Sequence, residues 1–309
     1  MAFSLRKSPS SGVVGLDIDG RYLAAAQVEG DRLVRAATCE LPDGLVREGE
    51  VTDVPALSEA IKQFASEAKL GKRVRLGVTN QQIVVRVVEL PRIEDAQQRD
   101  TAVRFQASEA IAMPLDEAVL DHQVAGYGQA PDGAARMQVV LVAARRKMIE
   151  TLLEAVRKAG LKADSIDLDA FALVRTLAFN GHTDPESARV FCHLGGVTNL
   201  AVALGSTCFF TRPLSAVWED EDAGAKLADE IRLSIDYYMT QAQARPVGEV
   251  VLSGPGSGDG ELVESLGLHL GLPVIVPAPL GQLDATAVAP GDDPRRYTVA
   301  AGLSLGAAA

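Results

Sequence analysis

Two stretches decide the architecture: Val13-Val14-Gly15-Leu16-Asp17-Ile18-Asp19-Gly20 and, about 175 residues later, Val190-Phe191-Cys192-His193-Leu194-Gly195-Gly196. Each is an apolar run, rich in β-branched or aromatic residues, that stops at a glycine-bearing turn, and each reads as a buried strand. The same pattern follows both. After the first come a strand-like 22–28, the Glu29-Gly30 break and a strand-like 31–39. After the second come 199–204, the Gly205-Ser206 break and 207–213. A repeated strand–turn–strand–turn–strand unit predicts two similar lobes facing each other.

The first unit continues with a helix over 54–68, N-capped by Asp53 with Pro55 in its first turn, and a strand over 74–79. The second continues with a helix over 224–243 and a strand over 249–252, then the turn Ser253-Gly254-Pro255-Gly256-Ser257-Gly258. A helix over 260–270, a strand over 273–276 and a helix over 296–305 complete it. Between the units the pattern changes. Strand 84–90 is stopped by Pro91, and Glu94-Asp95 open a helix to about Ala112. Paired strands 119–127 and 137–143 flank a loop, and an amphipathic helix over 148–159 is closed by Gly160. Strand 161–168 and helix 170–179 lead back, and 180–187 is a polar break. The expected organisation is a first lobe of 11–82 plus 161–187, an inserted α+β subdomain of 83–160 and a second lobe of 188–306.

At 309 residues, 47% hydrophobic and 23% charged, the chain has material for a large core and is excluded from the disordered class. Only 5% of residues are aromatic, and an apolar mass of Val, Leu and Ala suits strands covered on both faces. A net charge of −11 argues against a nucleic-acid partner. The pair Arg6-Lys7 is too short to anchor a membrane, 1–11 lacks the apolar run of a leader, and no stretch is long enough to span a bilayer. A cytoplasmic chain is expected. Cys39, Cys192 and Cys208 sit in strand-like contexts as free thiols, and the four histidines are scattered without zinc spacing.

Three turns carry candidate chemistry: Asp17-Ile18-Asp19-Gly20, His193-Leu194-Gly195-Gly196 and Ser253-Gly254-Pro255-Gly256. Glycine lets backbone amides face phosphate oxygens, although any one such turn also reads as a plain hairpin corner. Their matching places in a duplicated pattern point to a nucleotide cleft that takes ATP or ADP with magnesium. Its expected contacts are Gly20, Gly195, Gly196, Thr198, Gly254 and Gly256, with Asp17 holding the metal through water.

From about Ser11 to Gly306 the chain resembles the PilM family, actin-like, FtsA-related proteins of type IV pilus assembly. The resemblance is carried by Gly15-Leu16-Asp17-Ile18, by the stretch from Phe105 through Leu120-Asp121, and by Ala159-Gly160-Leu161. It continues in Ile166-Asp167-Leu168-Asp169-Ala170-Phe171-Ala172-Leu173-Val174-Arg175 and in Val299-Ala300-Ala301-Gly302-Leu303. The most specific part is Asp229-Glu230-Ile231-Arg232-Leu233-Ser234-Ile235-Asp236-Tyr237-Tyr238. It implies an α/β, actin-like ATPase fold of two RNase-H-like lobes with an inserted α+β subdomain. It also implies that Lys226 and Glu230 overhang the adenine and ribose; without it they read as a surface pair. The implied function is a scaffold. A groove beside the insert, placed at Val84, Val85 and Phe105, would receive the N-terminal cytoplasmic tail of a PilN-like inner-membrane protein, making membrane association indirect.

Three departures bear on the nucleotide. Actin-like proteins usually carry Asp-Ile-Gly at both phosphate turns, but the first here adds the carboxylate of Asp19, the second has His193 for the aspartate, and Pro255 removes an N–H from the third. Weak nucleotide binding and negligible hydrolysis are expected. Trp218-Glu219-Asp220-Glu221-Asp222 reads as a solvated helix start. The alternatives are an FtsA-like cell-division filament protein, which would carry an amphipathic membrane tail unlike 303–309, and a sugar or acyl-phosphate kinase, whose catalytic aspartate motif is not found.

Overall fold

The computed structural model describes residues 12–178 and 186–306. The segment 1–11 read for a leader, the end of the helix expected over 170–179, most of the polar break at 180–187, and 307–309 lie outside the described residues.

Strands β1 (Val14–Ile18), β2 (Tyr22–Glu29) and β3 (Arg32–Glu40) form an antiparallel meander. Its corners turn at Gly20 and Gly30, with φ of 98° and 64°, conformations that a Cβ disfavours. A hairpin of β4 (Val46–Arg47) and β5 (Glu50–Val51), too short to show any periodicity in the sequence, precedes α1 (Val54–Glu67). Asp53 caps α1 by accepting the Ala56 N–H at 2.9 Å. β6 (Arg73–Val78) then lies parallel to β1.

The inserted piece comprises β7 (Val84–Pro91), α2 (Ala96–Ala110), β8 (Ala118–Gln129), β9 (Ala135–Arg145) and α3 (Arg146–Lys158). Its sheet has the order β7-β9-β8, and α2 packs on it through Val103 and Ala107. α3 leaves that sheet to pack on α1. β10 (Lys162–Leu168) joins β6 in parallel and completes a sheet of order β10-β6-β1-β2-β3, and α4 (Asp169–Leu177) follows.

A second sheet is built from β11 (Ala188–His193), β12 (Asn199–Leu204) and β13 (Thr207–Pro213), then β14 (Val247–Ser253) and β15 (Val274–Ile275). Helix α5 (Ala223–Met239) precedes β14 and α6 (Gly260–Leu270) follows it. The order β13-β12-β11-β14-β15 repeats the pairing scheme of the first sheet, three antiparallel strands extended by two parallel ones. Every residue of β11 is buried, as in a central strand covered on both faces. α5 ends four residues short of the expected Gln243; Tyr238 is buried there and its hydroxyl accepts the Arg245 N–H at 3.0 Å.

The C-terminal region departs from expectation. It was assigned with 188–306 to the second lobe, but from Leu280 onward it lies on the first sheet. Leu33 N–H donates to Asp284 O at 3.0 Å, and Leu280, Tyr297, Ala300 and Ala301 share a core cluster with Tyr22, Ala24 and Ala26. The final helix α7 (Thr298–Leu305) packs on β1, β2 and α4, while α4 also touches β11, β12 and β13. The α4–α7 pair therefore lies between the two sheets. A run of small apolar residues announces a helix without saying which sheet it will cover, which is why the sequence reading misplaced it. Arg75 is buried and donates to Leu303 O and Ser304 O, and Arg175 donates to Gly302 O at 2.6 Å, so two cations satisfy the last carbonyls of α7. Ser304 Oγ donates to Val13 O at 2.8 Å and accepts the Val28 N–H at 2.9 Å.

A Cβ at Gly15 would stand 1.9 Å from Ala300 O, with no flexible side chain to give way. Gly15→Ala is therefore expected to destabilise the fold by about 3 kcal/mol through overpacking, read as a lowered urea midpoint.

Candidate functional site

The first two glycine turns meet between the lobes. The Asp19 carboxylate accepts the Gly196 N–H through both oxygens, at 2.7 and 2.8 Å. A Cβ on Gly195 or Gly196 would fall 2.4 or 2.1 Å from that carboxylate, so glycine is what allows the approach. The third turn is fastened to the second: Gly256 N–H donates to Leu194 O at 3.0 Å, and Gly254, with φ of 80°, presses its Cα on the Leu194 backbone. Trp218, read from the sequence as part of a solvated helix start, lies over this joint. Its indole Nε1–H donates to Gly195 O at 3.0 Å, and a Cβ on Gly256 would be 2.7 Å from its ring. Next to it Glu219 pairs with Arg21, which follows the first turn. In the sequence Trp218 stands in an acidic run far from any of the three turns, so no local signal pointed to this arrangement.

Behind the turns a small, partly open cavity of about 20 Å³, room for one water, is lined by Asp17, Asp19, Asp169, His193, Thr79 and Asn199 among others. Burial, then the neighbouring charges of Asp169 and Asp19, push the Asp17 carboxyl well above the usual range. Asp19 is raised to about 6 by burial, opposed chiefly by the Gly196 hydrogen bond, and Asp169 to about 8 by burial and the charges of Asp19 and Asp167. Asp169 Oδ1 is shut off from solvent without a hydrogen-bond partner among the described residues. His193 Nδ1 lies 3.0 Å from Ser253 Oγ, and burial lowers the ring to about 4, so the imidazole is neutral near pH 7.

The other expected ligand contacts are engaged within the protein. Thr198 is buried, with its hydroxyl donating to Ala216 O at 3.1 Å. Glu230 accepts the N–H groups of Ser215 and Ala216 at 2.9 and 3.0 Å, clamping the loop after β13. Lys226 pairs with Asp220 at 3.4 Å on the surface. Gly20 forms its corner with a positive φ of 98°, in ordinary contact with Val46 O. Asp17 does reach the cleft, but the space before it admits one water rather than a hydrated magnesium ion, and among the described residues no three His, Cys, Asp or Glu side chains are grouped to hold a metal. A cavity of about 220 Å³ lies beside Gly196, Thr198 and the loop after β13, but at the turns themselves a phosphate would meet the Asp19 carboxylate on the Gly196 N–H and the Trp218 indole over Gly256.

The expected partner groove is also rearranged. Val85 is buried in the core and β7 runs beside β13, so neither offers an open channel; Val84 is half-buried, and Phe105 is 68% exposed on α2. An open groove of about 610 Å³ lies instead at another seam of the insert, between α3 and β10. Leu153, Leu161 and Ala163 line it with Glu150, Arg157 and Lys162. β10 is an edge strand. Among the described residues no helix is long and apolar enough to cross a membrane.

The model of the family described as type IV pilus assembly protein PilM matches residues 18–194. Among solved structures, the chain is similar to one titled PilM-PilN type IV pilus biogenesis complex, with a TM-score of 0.80 at 23% identity over 97% of this chain and 100% of that one. The ethanolamine utilization protein EutJ from Carboxydothermus hydrogenoformans gives 0.55 at 12% identity, over 99% and 92%. A Bacteroides thetaiotaomicron protein described as having an actin-like ATPase fold and unknown function gives 0.50 at 10%, over 88% and 92%. The fold is that of the actin-like ATPases.

Native Asp169 holds its proton more tightly than an ordinary carboxyl, so folding takes up a proton between about pH 4 and about 8, and its contribution to stability falls as pH rises through that window. His193 acts in the opposite sense only below its ordinary value of 6.5. From pH 6.5 to about 8 the urea midpoint is therefore expected to fall in the wild type and to fall less in Asp169→Asn, measured with a chelator present.

Proposed function

This chain belongs to the PilM family of type IV pilus assembly proteins, and from that premise we propose that it is a scaffold whose insert and first lobe together grip the cytoplasmic N-terminal tail of a PilN-like inner-membrane protein. The observation that carries this reading is the groove between α3 and β10. Its apolar floor suits the side chains of an extended tail, its charged rim suits the tail's polar ends, and the free edge of β10 supplies backbone donors and acceptors for strand addition. Similarity to the PilM-PilN complex supports the choice of partner. The tail reaches the membrane and the scaffold does not, so the chain works at the inner face of the membrane while remaining in the cytoplasm. With a net charge of −11 it has no electrostatic attraction of its own to anionic lipid.

ATP or ADP is a ligand of low affinity in this reading, and hydrolysis is no part of the task. A tail that orders on binding loses conformational entropy, so micromolar affinity is expected, and tethering at one membrane complex raises the effective concentration enough to compensate. A fluorescent peptide from the PilN-like protein of the same organism should bind saturably in anisotropy titrations. Leu153→Glu should weaken it at least about tenfold, by placing a charge on the apolar floor, while Phe105→Glu leaves it within about twofold. Loss of binding with Phe105→Glu alone would return the docking site to α2, and no binding by the folded wild type would favour the filament alternative.

A further inference from the structure

We propose that Asp19 is a built-in occupant of the second phosphate turn, holding the two lobes together in the absence of nucleotide, so that a phosphate-bearing ligand reaches the Gly196 amide only by displacing it. In an actin-like frame the amides of that turn are the natural seat of an anion, since glycine leaves them unshielded. Here the seat is filled from the opposite lobe. Asp19 is 8% exposed and spends both carboxylate oxygens on the Gly196 N–H, a charge-assisted contact of 2.7 and 2.8 Å. The fit is mutual: no residue with a Cβ is accommodated at 195 or 196 while Asp19 stays in place.

Two more contacts bridge the same cleft from the same sides. Arg21, two residues after Asp19, pairs with Glu219, and Trp218 next to it reaches Gly195 O and covers Gly256. Asp19 and Arg21 thus bring one negative and one positive group from the first lobe to matching partners in the second. The exposed ion pair adds little by itself; its part is to hold Trp218 and the first turn in register. The carboxylate that the sequence reading treated as a repellent of phosphate is, in the folded chain, a substitute for it. The turn is self-occupied rather than merely damaged, while the cavity of about 220 Å³ beside Gly196 and Thr198 stays open, and this explanation does not depend on which partner the groove receives.

Trp218 is the only tryptophan, so its fluorescence reports this cleft alone. The full chain is titrated with magnesium ATP and, separately, with inorganic pyrophosphate, as wild type and as Asp19→Gly. Removing a carboxylate from beside the phosphates should tighten ATP binding at least about tenfold, with a change in Trp218 emission that the wild type shows only at higher concentration. Equal affinity of the two chains overturns the proposal. A second measurement needs no variant: in the ligand-free wild type, hydrogen exchange at the Gly196 amide should be slowed at least about tenfold relative to an open loop, as a closed charge-assisted bond requires. Exchange at open-loop rates overturns the proposal even if Asp19→Gly fails to fold.

Discussion

The two sheets are related by a repeated pairing scheme, yet each has an exposed flank that must be covered, and one pair of helices does this for both. α4 and α7 pass so close that a Cβ on Gly302 would stand 2.0 Å from Ala172 O, and α7 passes β1 at the same range over Gly15. Backbones at that separation leave no room for side-chain adjustment, so the interface has one geometry. Its polar ends are satisfied by Arg75 and Arg175, whose guanidinium groups take the carbonyls that end α7. Arg189, 1% exposed, ties β11 to Ala178 O at the end of α4 and to Glu249 on β14. Everything else in the molecule is arranged on this seam, including the turns that meet at its cleft end.

On that frame the first two glycine turns meet in a direct contact, Asp19 against the Gly196 amide. Three carboxyl groups crowd a space for a single water; the charges of Asp169 and Asp19 raise the proton affinity of Asp17, and that of Asp19 raises Asp169. Such a cluster in a working site would be relieved by a bound cation; here part of the relief comes from an amide, with one of the three directed at Gly196. What the fold retains is its stiffness and its seams. One seam, between α3 and β10, stays open, and the other, at the glycine turns, is bridged by Asp19, Trp218 and the Arg21–Glu219 pair.

Much of this was legible in the sequence. The strands were readable because buried central strands are rich in apolar, β-branched residues, as β1, β6, β11 and β14 are apart from single charged positions such as Asp17, Arg75, Arg189 and Glu249. Helices α1 and α3 were readable from a cap and a glycine stop, with Asp53 and Gly160 each playing the expected part, and α6 also ends at a left-handed glycine, Gly271. The pairing of distant side chains was not readable. No local pattern shows that Asp19 finds an amide 177 positions away, that Glu230 clamps the loop at Ser215, or that α7 crosses to the first sheet. The groove at Val84, Val85 and Phe105 follows from the family resemblance, which does not show which face of β7 is covered; in the fold Val85 is buried in the core and β7 runs beside β13.

The bond from Ser304 to Val13 has a consequence for how the chain could be rearranged. It places the beginning and the end of the described protein side by side, with Gly306 against the Arg75 guanidinium close at hand. A short peptide bridging those ends would cost little loop entropy, and new ends could be opened at the exposed corner around Gly133 between β8 and β9. The order in which the elements are synthesised is thus separable from their arrangement in space. A circularly permuted chain cut at that corner would keep the α4–α7 seam intact, because nothing in the seam depends on where translation starts.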